Sequence, residues 1–184
     1  MSDKKPKKRL EEMTKEELWQ LFPIYLTEHN DCWATWYAEE AEILHTILPC
    51  AETHHIGSTA IKGIWAKPIV DILVITPRET FDKSVERLQA SGYILMSKTK
   101  DRASLNKGYT EYGFAQRVFH IHMRLQGDTD EIYFREYLSN HADVVKEYEA
   151  LKLSLWKRFE HDRDGYTEAK GAFVEKYTKQ AKNE

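Results

Sequence analysis

The stretch Ile69-Val70-Asp71-Ile72-Leu73-Val74-Ile75 is almost uninterrupted apolar and β-branched sequence, and it constrains the fold more than any other part of the chain. Such a run has no polar side to turn toward water. It predicts a buried central strand over residues 67–76, and a sheet whose central strand is buried needs helices packed against it. The single charge inside the run, Asp71, is the informative exception. Carboxylates are seldom buried unless a cation, a metal ion or a hydrogen-bond cluster compensates them, so Asp71 marks a candidate catalytic or metal-binding position.

The flanking sequence supplies the helices. Thr14 with Glu17 forms a capping-box pattern, and Leu18, Leu21 and Phe22 follow at helical spacing up to Pro23. Trp33, Trp36, Tyr37, Ala41, Leu44 and Leu48 recur every three or four residues, which predicts an amphipathic helix over residues 31–48 ended by Pro49. A strand is expected over residues 51–57, about two helical turns over residues 58–64, a helix over residues 79–90 and a strand over residues 93–96. Residues 101–108 are polar and read as a mobile loop. His120-Ile121-His122-Met123 reads as a short strand whose alternation puts both imidazoles on one face. From Asp130 onward the apolar spacing is helical. The expected organisation is a disordered basic tail over residues 1–12 and one domain over residues 13–184, its sheet core at about residues 50–125 and its terminal helices at about residues 130–180.

Composition excludes several classes of function. Aromatic residues make up 12% of the chain, enough large apolar surface to rule out disorder throughout. The net charge is only -3 with acids and bases interspersed, so no basic face stands out and duplex DNA is not an expected partner. Cys32 and Cys50 form no C-x-x-C pair, which fits a reducing compartment and packing roles. The lysine-rich start runs into Leu10-Glu11-Glu12 and not into a long apolar segment, so neither a signal peptide nor a membrane span is expected and the location expected is the cytoplasm.

Chemistry concentrates in His54-His55-Ile56-Gly57-Ser58-Thr59, which precedes the Asp71 strand. Gly57 permits a tight turn and Ser58 can cap a following helix, a geometry that suits a phosphate, although an ordinary strand-to-helix turn has the same ingredients. Lys67 falls four residues before Asp71. Tyr148 with Lys152 and Tyr166 with Lys170 are each one helical turn apart, as helix-surface pairs often are. If these helices cover a pocket, Arg135, Lys152 and Lys170 would offer cations to phosphate.

In combination these segments resemble the GrpB family. The resemblance rests on His55-Ile56-Gly57-Ser58-Thr59-Ala60-Ile61-Lys62-Gly63, on Lys67-Pro68-Ile69-Val70-Asp71-Ile72-Leu73 and on His120-Ile121-His122. It continues through Phe134-Arg135-Glu136-Tyr137-Leu138, Tyr148-Glu149-Ala150-Leu151-Lys152 and Tyr166-Thr167-Glu168-Ala169-Lys170-Gly171-Ala172-Phe173, and covers about residues 12–177. It implies an α+β, nucleotidyltransferase-like fold, a small mixed sheet with flanking helices, in which Gly57, Ser58 and Thr59 cradle a nucleotide or phosphorylated small molecule. Lys67, Arg135, Lys152 and Lys170 would add to that binding, and Asp71 would be catalytic. Active nucleotidyltransferases place a second acid two residues after the first and a third on a neighbouring strand. Here Leu73 holds the second position, and His120 and His122 stand where the third acid is expected. Asp71, His120 and His122 are therefore the candidate metal ligands, with Glu52 as a further donor, and the ion would be magnesium, manganese or zinc, imidazole favouring the latter two. The structural reading keeps one histidine packed and the other bonded to a backbone carbonyl or to Asp71. Three functions follow: metal-assisted nucleotidyl transfer, non-catalytic binding of a nucleotide or phosphate, and metal-dependent phosphoester hydrolysis.

Overall fold

A computed structural model describes residues 8–184. Two helices, α1 (Lys15–Leu21) and α2 (Cys32–Ile47), precede the first strand, β1 (Glu52–Ile56). The central strand β2 (Val70–Thr76) follows, then α3 (Phe81–Ala90), β3 (Ile94–Lys98), β4 (Arg102–Thr110) and β5 (Gly113–Leu125). The chain ends in α4 (Asp130–Asn140), α5 (Ala142–Leu155) and α6 (Arg163–Ala181). The strands form one mixed sheet in the order β1-β2-β5-β4-β3, parallel only between β2 and β5.

Strand alternation divides the sheet into two unlike faces. Ile72 and Val74 of β2, Ala103 and Leu105 of β4, and Phe119, Ile121 and Met123 of β5 point to one side, where Trp33 and Leu44 of α2 and Phe81, Val85 and Leu88 of α3 bury them. The opposite face carries Asp71, Leu73, His120 and His122. Leu73 packs there with Ile56, Ile75 and Ile132, so α4 covers part of it. Leu138, Val144, Tyr148 and Tyr177 join α4, α5 and α6 in a second apolar cluster with Ile61 and Ile64. Helices thus seal the first face fully and the second only in part.

Several expectations are corrected. The polar segment read as a loop is most of β4, whose residues pair with both β3 and β5. The short strand around His120 is part of a 13-residue β5. The two helical turns expected after Gly57 shrink to a 3-10 turn, Ser58–Ala60, and the side chain of Ser58 does not cap it. Cys50 is exposed and does not pack. The basic tail lies for its first seven residues outside the described residues, while Leu10–Glu12 forms a 3-10 turn. No described helix is long and apolar enough to cross a membrane.

Candidate functional site

The register of β2 against β5 builds the centre of the site. Asp71 lies directly opposite His120, and Leu73 opposite His122, so both imidazoles reach the same carboxylate. His122 Nε2 sits 3.0 Å and His120 Nδ1 3.3 Å from Asp71 Oδ1. Burial acts to raise the Asp71 carboxyl, but the hydrogen bonds from His120 and His122 outweigh it and hold it well below the usual carboxylate range. Burial lowers His120 to about 4 against the opposing pull of Asp71, so its ring is neutral at pH 7. A neutral ring carries one proton. His120 therefore donates from Nδ1 to Asp71 while its Nε2, 2.8 Å from the Tyr109 hydroxyl, accepts from that hydroxyl.

Tyr109 reaches this face because of a bulge. Lys107 points toward α2, where it pairs with the buried Glu40 at 2.8 Å, and without an interruption Tyr109 would point the same way. The register shifts between Lys107 and Tyr109, at Gly108, whose φ is +89°. The extra residue turns Tyr109 to the histidine side. A Cβ on Gly108 would approach the Arg117 carbonyl oxygen far inside contact distance, so glycine is required there.

Gly57 plays the corresponding part above Asp71. Its φ is +70°, and a Cβ there would lie 2.5 Å from Asp71 Oδ2. The missing side chain lets the turn after β1 close directly over the carboxylate. Ser58 follows, with its Oγ accepting from Lys152 Nζ at 3.1 Å and also bonded to the hydroxyl of Tyr148.

Cations crowd this side of the sheet. Lys152 is 2% exposed and also donates to the Trp65 carbonyl. Lys170 lies 4.2 Å and Lys67 5.6 Å from the Tyr166 ring centroid. Burial, reinforced by Lys170 and Arg163, lowers Lys67 to about 7, with Asp71 opposing. Burial, with Lys170 adding to it, lowers Lys152 to about 7, and burial lowers Lys170 to about 8. Among the described residues none of the three forms an ion pair with a carboxylate. Arg124, on the same face of β5, is by contrast matched by Glu131 at 2.7 Å. The hydroxyl of Tyr166, a residue 1% exposed, lacks a hydrogen-bond partner among the described residues. Three lysines without an ion-paired carboxylate, Lys152 buried and Lys67 and Lys170 half-buried, thus share this side of the sheet with the unmatched hydroxyl of Tyr166.

Sequence reasoning located Asp71, His120, His122, Gly57, Ser58, Lys67, Lys152 and Lys170, and the structure brings them together on one face. Lys67 arrives from the segment before β2, not from the strand itself. Thr59 and Arg135 are engaged elsewhere. Thr59 Oγ1 is 3.0 Å from His55 Nε2, the His55 ring stacks on Tyr37, and burial lowers that imidazole to about 4. Arg135 donates to the His55 carbonyl at 2.9 Å. Glu52 pairs with His54 at 2.7 Å and lies opposite Ile75, at the far end of β2 from Asp71. Sequence reasoning missed Tyr109 and Arg163. Arg163 opens α6, lies 5.4 Å from the Tyr109 ring and hydrogen-bonds its hydroxyl. The Gly108 break in a strand-like alternation was the available signal for Tyr109, and Arg163 had none.

A mixed sheet bearing a glycine-capped carboxylate, paired imidazoles and a lysine cluster places the chain among α+β proteins with a site on one sheet face. Sequence comparison is specific: the family pattern described as GrpB protein matches residues 23–180, and the chain belongs to that family. The Glutamate-rich protein GrpB of Alkalihalophilus pseudofirmus is 35% identical over 162 residues, 83% of this chain and 92% of that protein. The crystal structure of conserved protein GrpB from Enterococcus faecalis superposes with a TM-score of 0.73 at 30% identity, covering 85% of this chain and 96% of that one. A structure of the Cid1 RNA terminal uridylyl transferase aligns more loosely, at 16% identity and a TM-score of 0.48 over 70% of this chain and 40% of that one. The chain spans 62% of a Pseudomonas aeruginosa relative and 50% of a Bacillus subtilis one.

Proposed function

We propose that this chain binds a nucleotide or phosphorylated small molecule with its phosphates between Ser58 and Lys67, Lys152 and Lys170, beside a divalent metal held by Asp71, His120 and His122, and transfers a nucleotidyl group. The observation that carries the reading is the lysine cluster. Three lysines are held together with no carboxylate ion-paired to any of them, and each depresses or is depressed by another. A polyphosphate would supply the missing charge and raise their proton affinity. The unpartnered Tyr166 hydroxyl would gain an acceptor in the same event.

The donor set fits a metal. One ligand atom from each of Asp71, His120 and His122 lies within 4.8 Å of the others. Two imidazoles and one carboxylate suit manganese or zinc better than magnesium. Such an ion, when bound, would polarise a phosphoryl oxygen and offset developing charge. To ligate it, His120 would move its proton from Nδ1 to Nε2, which Tyr109 can accommodate by turning from donor to acceptor. Tyr109 is thus a positioning residue for His120. Gly57 holds the turn against Asp71, and the lysines orient the phosphates.

One observation favours a second reading, a binding module without turnover. Leu73 projects to the same face as Asp71 and is fully buried among Ile56, Ile75 and Ile132, so a second carboxylate is missing where a second metal would sit. Thermal-shift titration with ATP, GTP, CTP and UTP, each with and without magnesium, manganese and zinc, separates the readings when paired with product analysis. A nucleotide shift that grows with manganese or zinc and loses that increment in Asp71→Asn supports the proposed site. Pyrophosphate release then identifies transfer, and binding without it the module. No nucleotide shift under any condition would contradict both.

A further inference from the structure

From His120 and His122 a groove of about 1170 Å³ runs away from the lysine cluster toward the sheet edge. Its floor is the site face of β4 and β5, with Ser104, Asn106 and Tyr109 beside the two histidines. Leu18 and Trp19 of α1 form one wall. Ile94 and Met96, on the edge strand β3, form the other and are 39% and 54% exposed. Largely apolar walls with a few polar groups on the floor are the usual make-up of a small-molecule site, and the volume is ample beside the roughly 300 to 1,000 Å³ of such sites.

The charges around it decide what it can take. Lys15 is paired with Asp164 and packs over Trp19, and Arg9 is paired with Glu11 and Glu12. Arg163 is bonded to Tyr109 and raises the positive potential at Lys67, so it belongs to the anion side. The groove therefore presents no row of free cations along its length, and tracking a sugar-phosphate backbone requires one.

We propose that this groove is a second ligand site that accepts an uncharged, largely apolar molecule bearing a hydroxyl, directed toward His122, and not a polynucleotide. The inference deepens the proposed function and rests on it only in assigning the phosphates to the lysine side. The apolar body would lie against Leu18, Trp19 and Met96, and its polar end would meet Asn106 and the histidines.

Titration of methyl-labelled protein followed by nuclear magnetic resonance tests it, with naphthalenemethanol as the uncharged probe, oligouridylate as the polynucleotide and inorganic tripolyphosphate as the anion. Naphthalenemethanol is expected to shift the methyl signals of Leu18, Ile94 and Met96 without competition from tripolyphosphate. Leu18→Arg is expected to weaken it by about tenfold, the scale of losing one buried aliphatic contact. Met96→Glu, at an exposed position that folding tolerates, should weaken it several-fold, with tripolyphosphate affinity unchanged in both variants. Absence of methyl shifts, affinity indifferent to both substitutions, or tighter binding of oligouridylate in the groove would each overturn the inference. If the alcohol behaves as expected but tripolyphosphate does not bind, the groove assignment stands and the proposed function falls.

Discussion

Asp71 is ionised in a buried strand because the imidazoles of His120 and His122 hydrogen-bond to it, and Gly57 is the residue that lets the chain close over it. Gly57→Ala has nowhere to put its methyl group. It is expected to destabilise the protein by about 1–3 kcal/mol, the cost of a non-glycine residue held at positive φ, and to lower manganese affinity by displacing Asp71. Calorimetry in the presence and absence of the ion checks both, and unchanged affinity would separate Gly57 from the site. Lys67 offers a sharper test because its sign can be worked out. Its proton affinity in the folded chain is lowered from 10.5 to about 7, so the native state holds fewer protons than the unfolded state between those values. Stability must then rise with pH across that window, and the burial penalty is complete below it. Lys67→Met removes that penalty. The variant is expected to melt higher than the wild type at neutral pH, with the gap narrowing toward pH 10.5, while its affinity for phosphate falls. A variant that melts lower at every pH would mean that Lys67 is a stabilising contact.

At the scale of elements, the strands differ in how clearly the sequence announces them. β2 and α2 are legible because their apolar pattern is unbroken and has a single period. β4 and the first half of β5 are not. The site-facing positions of β4, among them Ser104 and Asn106, are polar because that face is only partly covered, Gly108 then shifts the alternation midway, and β5 opens on the exposed Ala115, Gln116 and Arg117. Each departure is local, and each serves the site. The bulge is the device that brings Tyr109 to His120, so Gly108→Ala should do more than unfold an edge. It is expected to cost at least about 1–3 kcal/mol, from the strained φ alone, and to weaken metal binding through the lost Tyr109 contact. Tyr109→Phe, which leaves the bulge intact, should reproduce the binding loss with little change in melting temperature. Equal metal affinity in both variants and the wild type would limit the bulge to a structural role.

Across the whole molecule, the resemblance drawn from short motifs and the match over residues 23–180 lead to the same family. The motifs were legible because glycine, histidine and aspartate at fixed spacing carry steric and chemical demands that few other residues meet. The pooling of charge was less so. Tyr148 with Lys152 and Tyr166 with Lys170 have the spacing of surface pairs, and only the packing of α5 and α6 against the sheet shows that they point inward. Arg163 joins them for the same tertiary reason. The fold thus concentrates positive charge on one side of Asp71 and leaves an apolar groove on the other, with both histidines at the junction. The central claim is that metal and phosphate meet at that junction. Electron-nuclear double resonance on manganese-loaded protein with a non-hydrolysable ATP analogue tests it most directly. Couplings to imidazole nitrogens are expected that are lost in the His120→Ala, His122→Ala double variant, together with coupling to phosphorus that is lost when Lys67, Lys152 and Lys170 are replaced by methionine. Manganese that shows neither imidazole nor phosphorus coupling, or phosphorus coupling untouched by the lysine substitutions, would contradict it.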